Sequence, residues 1–294
     1  MRFISFLLSL LLLCFLVTGC APAAEQAQIA ATTLPVYYLT TQLCQNTPLS
    51  TTRLVTESVS CLHDYTLQVS QMRAIEAAEV IVISGAGLED FLEDALDGNE
   101  NIIDASSNIE LISCEQEHDH GHESEHHHHE QDPHIWLAPA NMKRMAQTIC
   151  SGLSVKYPDF TSVFEWNLSV LEQDLDALEA YAQTSLADLS CRELITFHDG
   201  FSYLAQAYDL TILEAVEEES GSEASAGELI ELIELVREHD LPAIFIESNG
   251  STAAASIIAA ETGVSVYTLD MAMSGDDYLE AMYHNIDTLK EALG

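Results

Sequence analysis

The side chains in this sequence best suited to chemistry are histidines and carboxylates. There are twelve histidines. Seven of them, His118, His120, His122, His126, His127, His128 and His129, crowd into residues 115–132 together with seven acidic residues and no apolar one. Such a segment has nothing to bury in a core, and imidazoles interleaved with carboxylates read as a surface loop that collects metal weakly. His239 follows Arg237 and Glu238 near a helix end, where positive charge favours the terminal carbonyls, and His284 stands beside Asn285 on a terminal helix; both read as ordinary surface residues. The other three histidines and one aspartate stand where chain elements end. His198 directly follows the apolar run Leu194-Ile195-Thr196-Phe197, and Asp270 directly follows Leu269 at the end of another. His63 lies past a strand at Arg53, in Cys61-Leu62-His63-Asp64-Tyr65, and His134 follows the acidic segment in Asp132-Pro133-His134-Ile135-Trp136-Leu137. Ligands of open α/β sheets bind at the carboxyl ends of the strands. Two histidines from the first half, with a histidine and an aspartate from the second, would give four N/O ligands, a set zinc accepts in tetrahedral geometry.

The elements that must position these groups alternate between strand and helix. In the first half, strands are expected at 29–33, 53–56 and 80–83, short extended pieces at 102–103 and 109–112, and helices at 36–44, 67–78 and 91–96. The unbroken run Val80-Ile81-Val82-Ile83 suits a strand buried on both faces. From 159 to 189, apolar residues including Phe164, Leu171, Leu175, Leu178 and Ala182 recur every three or four positions, which predicts a helix of roughly 45 Å, too long for one crossover. A second alternation follows, with strands at 194–197, 211–215, 243–246 and 264–269 and helices at 203–208, 229–239, 253–261 and from 278 onward. Strands alternating with helices imply parallel sheets. The expected fold is therefore α/β, two parallel-sheet lobes joined by one long rigid helix, with a metal site in the cleft between them. The expected division is 1–19 signal peptide, 20–26 lipidated tether, 27–157 N-terminal lobe including the loop 115–132, 158–190 connecting helix and 191–294 C-terminal lobe.

Charge and cysteine usage narrow the function. With nine Lys and Arg against 48 Asp and Glu the formal charge is −39. Nine scattered cations cannot neutralise a phosphate backbone, so nucleic acid is excluded as a partner. Arg2 followed by the apolar stretch 3–17 forms an export signal, and Val17-Thr18-Gly19-Cys20 looks like a bacterial lipobox that would leave Cys20 to carry lipid. Cys44, Cys61, Cys114, Cys150 and Cys191 then remain in the exported body, an odd number that leaves at least one unpaired; Cys44 with Cys61 is the first expected pairing. The absence of any C-x-x-C pair argues against a thiolate zinc ribbon or a thioredoxin-like site.

Taken in order, Cys61-Leu62-His63-Asp64-Tyr65, Ser84-Gly85-Ala86-Gly87-Leu88-Glu89-Asp90-Phe91, Asp132-Pro133-His134-Ile135-Trp136-Leu137, Phe197-His198-Asp199-Gly200-Phe201-Ser202-Tyr203-Leu204, and Leu269-Asp270 ahead of Tyr278-Leu279 resemble the signatures of bacterial zinc/manganese substrate-binding proteins of ABC importers. The resemblance runs from about residue 27 to the end. It implies two α/β lobes joined by one long helix, and it makes His63, His134, His198 and Asp270 the metal ligands. Members leaning to manganese commonly have glutamate at the third position, so His198 and the His-rich loop point to zinc. The sequence departs from the pattern at Ala224, where relatives tend to have proline, and at Glu247-Ser248-Asn249.

The expected function is an extracytoplasmic, lipid-anchored, monomeric protein that captures Zn²⁺ and hands it to an ABC permease without catalysing a reaction. Four protein ligands leave no open position for an activated water. The alternatives are a manganese-delivering member of the same class, a surface metal buffer or adhesin, and, least favoured, an exported metallohydrolase, whose motifs need ligands held by rigid structure.

Overall fold

A computed structural model describes residues 27–57, 62, 65–113, 131–216, 224–248 and 252–294. The expected signal peptide and tether, His63, Cys61, Cys114 and the seven histidines from His118 to His129 lie outside them.

The N-terminal lobe carries β1 (Ile29–Ala31), β2 (Thr51–Arg53), β3 (Val80–Ile83) and β4 (Ile102–Asp104), all parallel, in the order β2-β1-β3-β4. The C-terminal lobe repeats the plan with β5 (Glu193–Thr196), β6 (Thr211–Ala215), β7 (Ala243–Glu247) and β8 (Ser265–Leu269) in the order β6-β5-β7-β8. These strands are parallel too, with one register shift between Leu194 and Ile195. The helices are α1 (Leu34–Leu43), α2 (Val69–Ala77), α3 (Glu93–Leu96), α4 (Pro139–Lys156), α5 (Thr161–Ser185), α6 (Ser202–Ala207), α7 (Ala226–Glu238), α8 (Ala253–Thr262) and α9 (Tyr278–Leu293).

Alternation along the strands explains the layering. Ile29 and Ala31 of β1, Leu194 of β5 and Ala243 and Phe245 of β7 point into one continuous core that spans both lobes and takes in Trp136, Phe164, Leu171, Leu178, Tyr278 and Leu289. The intervening residues face outward under separate covers. Ala30 and Ile81 pack with Leu54, Ile75 and Leu92 in one lobe; Ile195 and Ile244 pack with Leu232, Val236 and Ile258 in the other.

The helix α5 is the shared spine, packing on α1, α4 and α9. It has 25 residues, about 37 Å at 1.5 Å per residue, shorter than the sequence pattern suggests at both ends. Pro158 heads a separate 3₁₀ turn, Pro158–Phe160. At the other end the Arg192 guanidinium donates to the carbonyls of Leu186 and Ala187, satisfying the chain just past the last turn. Asn167, buried in α5, donates to the carbonyls of Leu43 and Gln45 and so closes the end of α1.

Four expectations change. Residues 109–112 form no strand; next to them Ser113 and Gln131 make a single antiparallel bridge. The helix expected at 91–96 begins as a 3₁₀ turn, Asp90–Leu92. The helix α4 is absent from the sequence reading, although Pro139 stands at its first position and Met142, Met145, Ala146, Ile149 and Leu153 recur at helical spacing. Finally, Cys44 is a free, buried thiol, as are Cys150 and the half-buried Cys191, so the Cys44–Cys61 pairing does not form. Cys44 is buried at the C-cap of α1, packed into the core rather than presented to a second thiol, and Cys61 lies outside the described residues. Burial pushes the Cys44 thiol up to about 12, which leaves it unreactive.

Candidate metal centre

His134 opens a 3₁₀ turn, Ile135–Leu137, whose three side chains are fully buried. Trp136 anchors that turn across the cleft: its indole N–H donates to the Met271 carbonyl at 2.7 Å, and the Tyr278 hydroxyl donates to the Trp136 carbonyl at 2.7 Å. The His134 ring is buried and oriented from behind. Its backbone N–H and its Nδ1 both lie 2.8 Å from Asp132 Oδ1. A carboxylate only accepts, so Nδ1 carries the proton and Nε2 presents its lone pair. Burial pushes the Asp132 carboxyl up, but hydrogen bonds from His134 and Ser202 outweigh it and hold the group below its ordinary value. Asp132 therefore belongs to the folded frame and not to the solvated segment in which the composition places it.

His198 leaves the end of β5 and meets His134 from the other lobe. The two Nε2 atoms are 3.4 Å apart, with ring centroids at 5.2 Å and planes at 86°. Two nitrogens bound to one tetrahedral ion at about 2.0–2.1 Å stand about 3.3 Å apart. Behind His198, the buried Glu247 at the end of β7 places Oε2 3.9 Å from Nδ1. His134 has a carboxylate hydrogen-bonded at Nδ1, His198 has Glu247 on its Nδ1 side beyond hydrogen-bond distance, and the two Nε2 atoms face each other, an arrangement akin to the carboxylate-backed histidines of metal sites. Gly200 makes room for it. A Cβ there would lie 2.6 Å from His198 Cδ2 and 2.7 Å from Met271 Cε.

Asp270 stands at the exit of β8 as expected. Asn285, fully buried in α9, accepts from its N–H and donates to its carbonyl, while Asp270 Oδ1 accepts from the Ala272 N–H at 2.7 Å. Among the described residues no group of three or more His, Cys, Asp or Glu side chains is placed to hold a metal ion. The structure brings His134 and His198 together and does not bring Asp270 to them; His63 is outside the described residues. Glu247 and the orienting role of Asp132 escape the sequence reading. A lone Glu at a strand end carries no distinguishing signal, whereas Asp132, two residues before His134, could have been suspected as its partner.

Ser84-Gly85-Ala86-Gly87 serves another buried acid. Glu89 accepts from the Thr32 hydroxyl at 2.6 Å and from the N–H groups of Ser84 and Gly85 at 2.7 and 2.9 Å. Gly85 has φ +82°, and a Cβ on it would strike Asp104. Burial pushes the Glu89 carboxyl up to about 7 despite these hydrogen bonds, and Asp104 adds to the rise.

Comparison with known proteins agrees with this architecture. The zinc-binding lipoprotein AdcA of Streptococcus pneumoniae is 31% identical over 309 residues, covering 99% of this chain, which itself spans 61% of AdcA. The high-affinity zinc uptake system protein ZnuA of Bacillus subtilis is 28% identical across 92% of this chain and 88% of its own length. A crystal structure of ZnuA superposes with a TM-score of 0.78 at 28% identity, over 92% of this chain and all of that one. The family of the periplasmic component A of the zinc-uptake complex matches residues 29–292, and the chain belongs to that family.

Proposed function

We propose that this protein captures Zn²⁺ outside the cytoplasmic membrane and delivers it to an ABC permease, tethered by lipid on Cys20. The observation that carries this reading is the 3.4 Å approach of His134 Nε2 and His198 Nε2 across the lobes, each backed by a buried carboxylate. Family membership and the names of AdcA and ZnuA support zinc as the cargo. In this reading His63 and Asp270 complete the ligand set with His134 and His198. His63 reaches the ion from the segment after β2, and Asp270 reaches it by giving up its hydrogen bond to Ala272. Imidazole nitrogens favour zinc over manganese, which prefers carboxylate, carbonyl and water oxygens. No reaction is catalysed, because a filled tetrahedron leaves no place for a nucleophilic water. Residues 115–130, with His118, His120, His122 and His126 to His129, hold additional zinc weakly, as a segment of interleaved imidazoles and carboxylates with no apolar residue does.

The test is metal titration of the exported chain and of H63A, H134A, H198A and D270A. One tight zinc site, lost in the histidine variants, is the expected result. A single tight site that survives in both H134A and H198A would refute the assignment.

A further inference from the structure

Tyr203 lies in α6, five residues beyond His198, and is 2% exposed. Its hydroxyl accepts from the Ile112 N–H at 2.9 Å and donates to the Asp132 carbonyl at 3.0 Å. The Asp132 N–H in turn donates to the Ile112 carbonyl at 2.8 Å. One phenol from the C-terminal lobe thus grips both arms of the chain just inside the Ser113–Gln131 bridge, through which the acidic His-rich residues join the fold. Asp132 is also the residue whose Oδ1 receives the His134 N–H and Nδ1–H. A continuous run of contacts therefore links the Tyr203 hydroxyl, the Asp132 backbone, the Asp132 carboxylate and the His134 ring.

We infer that Tyr203 is a positioning residue for the metal site: through Asp132 it fixes the direction and tautomer of His134 relative to His198. This rests on the zinc-binding reading above. Without the hydroxyl, Asp132 loses a partner in a buried place and Ile112 one in a half-buried place, the Asp132 carboxylate loses its fixed position, and His134 gains freedom to present Nδ1 or to turn away. The hydroxyl touches no metal; its effect is on the geometry of a ligand.

The experiment uses the full exported chain with Tyr203→Phe, which removes one oxygen and keeps the ring. Zinc affinity is measured by chelator competition, and the His134 tautomer in metal-free protein by imidazole ¹⁵N shifts. Replacing outer groups around a metal ligand typically costs about 10–100-fold in affinity, so about tenfold is expected, together with a reduced Nδ1–H population at His134. In the double variant with Asp132→Asn the losses should not multiply, because both act along one line of contacts. Unchanged affinity and tautomer in Y203F, or multiplied losses in the double variant, would overturn the inference. If Y203F fails to fold, Ile112→Pro deletes the donated N–H and leaves Tyr203 in place; the same two shifts are expected, and their absence refutes the role. If the unaltered chain binds no zinc one-to-one, the zinc reading fails, while the tautomer comparison still decides whether Tyr203 orients His134.

Discussion

His134 and His198, from different lobes and 64 positions apart, point their Nε2 atoms at each other across 3.4 Å. Without metal, a proton on His198 Nε2 makes this a long hydrogen bond to the His134 Nε2 lone pair; a cation that displaces that proton gains both lone pairs at once. The arrangement makes physical sense around a cation. H134A and H198A should each weaken zinc binding more than about 100-fold, the upper range for outer-group losses, while far-ultraviolet circular dichroism stays unchanged. Competition against a fluorescent chelator measures it. Wild-type affinity in either variant removes that residue from the site.

Gly200 should not tolerate a methyl group. A Cβ would meet the His198 ring at 2.6 Å and the Met271 methyl at 2.7 Å. The methionine end can swing away; the imidazole, close to Glu247, yields less easily. Gly200→Ala is expected to cost about 1–3 kcal/mol in stability, as overpacking does, and at least about tenfold in zinc affinity as the ring is displaced from its supporting carboxylate. A crystal structure with the ring unmoved and the affinity intact would count against this account.

Deletions in the acidic segment should show a sharp boundary. Removing 115–130 is expected to abolish the weak zinc sites and leave the tight one, whereas extending the deletion through Gln131 and Asp132 should weaken the tight site as well, because Asp132 holds the His134 ring. Isothermal titration of the two deletions distinguishes them. Equal tight-site affinity in both would contradict the role given to Asp132.

Acid should release zinc. Histidine binds metal only when neutral, so every histidine ligand adds a proton to the exchange. With two or three such ligands the affinity should fall by up to about two or three decades per pH unit once they protonate. Competition titrations from pH 7.5 downward give the slope, and a slope near zero throughout the acid range excludes a histidine site.

Glu89 makes a different, metal-independent pH prediction. Its carboxyl is raised from 4.5 to about 7 by burial, so the folded state holds a proton that the unfolded chain releases. The stability this contributes is fully present below about pH 4.5 and is lost as pH rises through about 7, an effect of about 3 kcal/mol at most. Relative to Glu89→Gln, the unaltered protein should lose stability between pH 5 and 8; urea denaturation of the metal-free pair measures the difference, in which the other carboxylates cancel. A constant difference over that range would show that Glu89 does not titrate there.

The legible parts of the fold were those with a period. Val80–Ile83 falls where the sequence places it, because a continuous apolar run with flanking turn residues needs no tertiary information, and Thr211–Ala215 falls where the alternation of elements places it. The helix α4 is equally periodic, but it stands directly after the more conspicuous acidic segment. At the site, His134 and His198 were visible as histidines at element ends, yet their approach depends on both lobes sharing one core, which spacing along the chain does not encode. Asp132 illustrates the opposite error: composition groups it with its solvated neighbours, and only the fold shows that it is 3% exposed.

Of the two tryptophans in this chain, Trp136 is fully buried with its ring centroid 5.4 Å from that of His134, and Trp166 is 70% exposed on the spine helix α5. Nature has thereby supplied an optical gauge. The buried indole emits at shorter wavelength and senses what happens to the neighbouring imidazole, while the exposed one, open to solvent on α5, serves as an internal standard. Loading of the site can be followed as a change in the blue edge of the emission against a constant red edge, without attaching a dye to any cysteine.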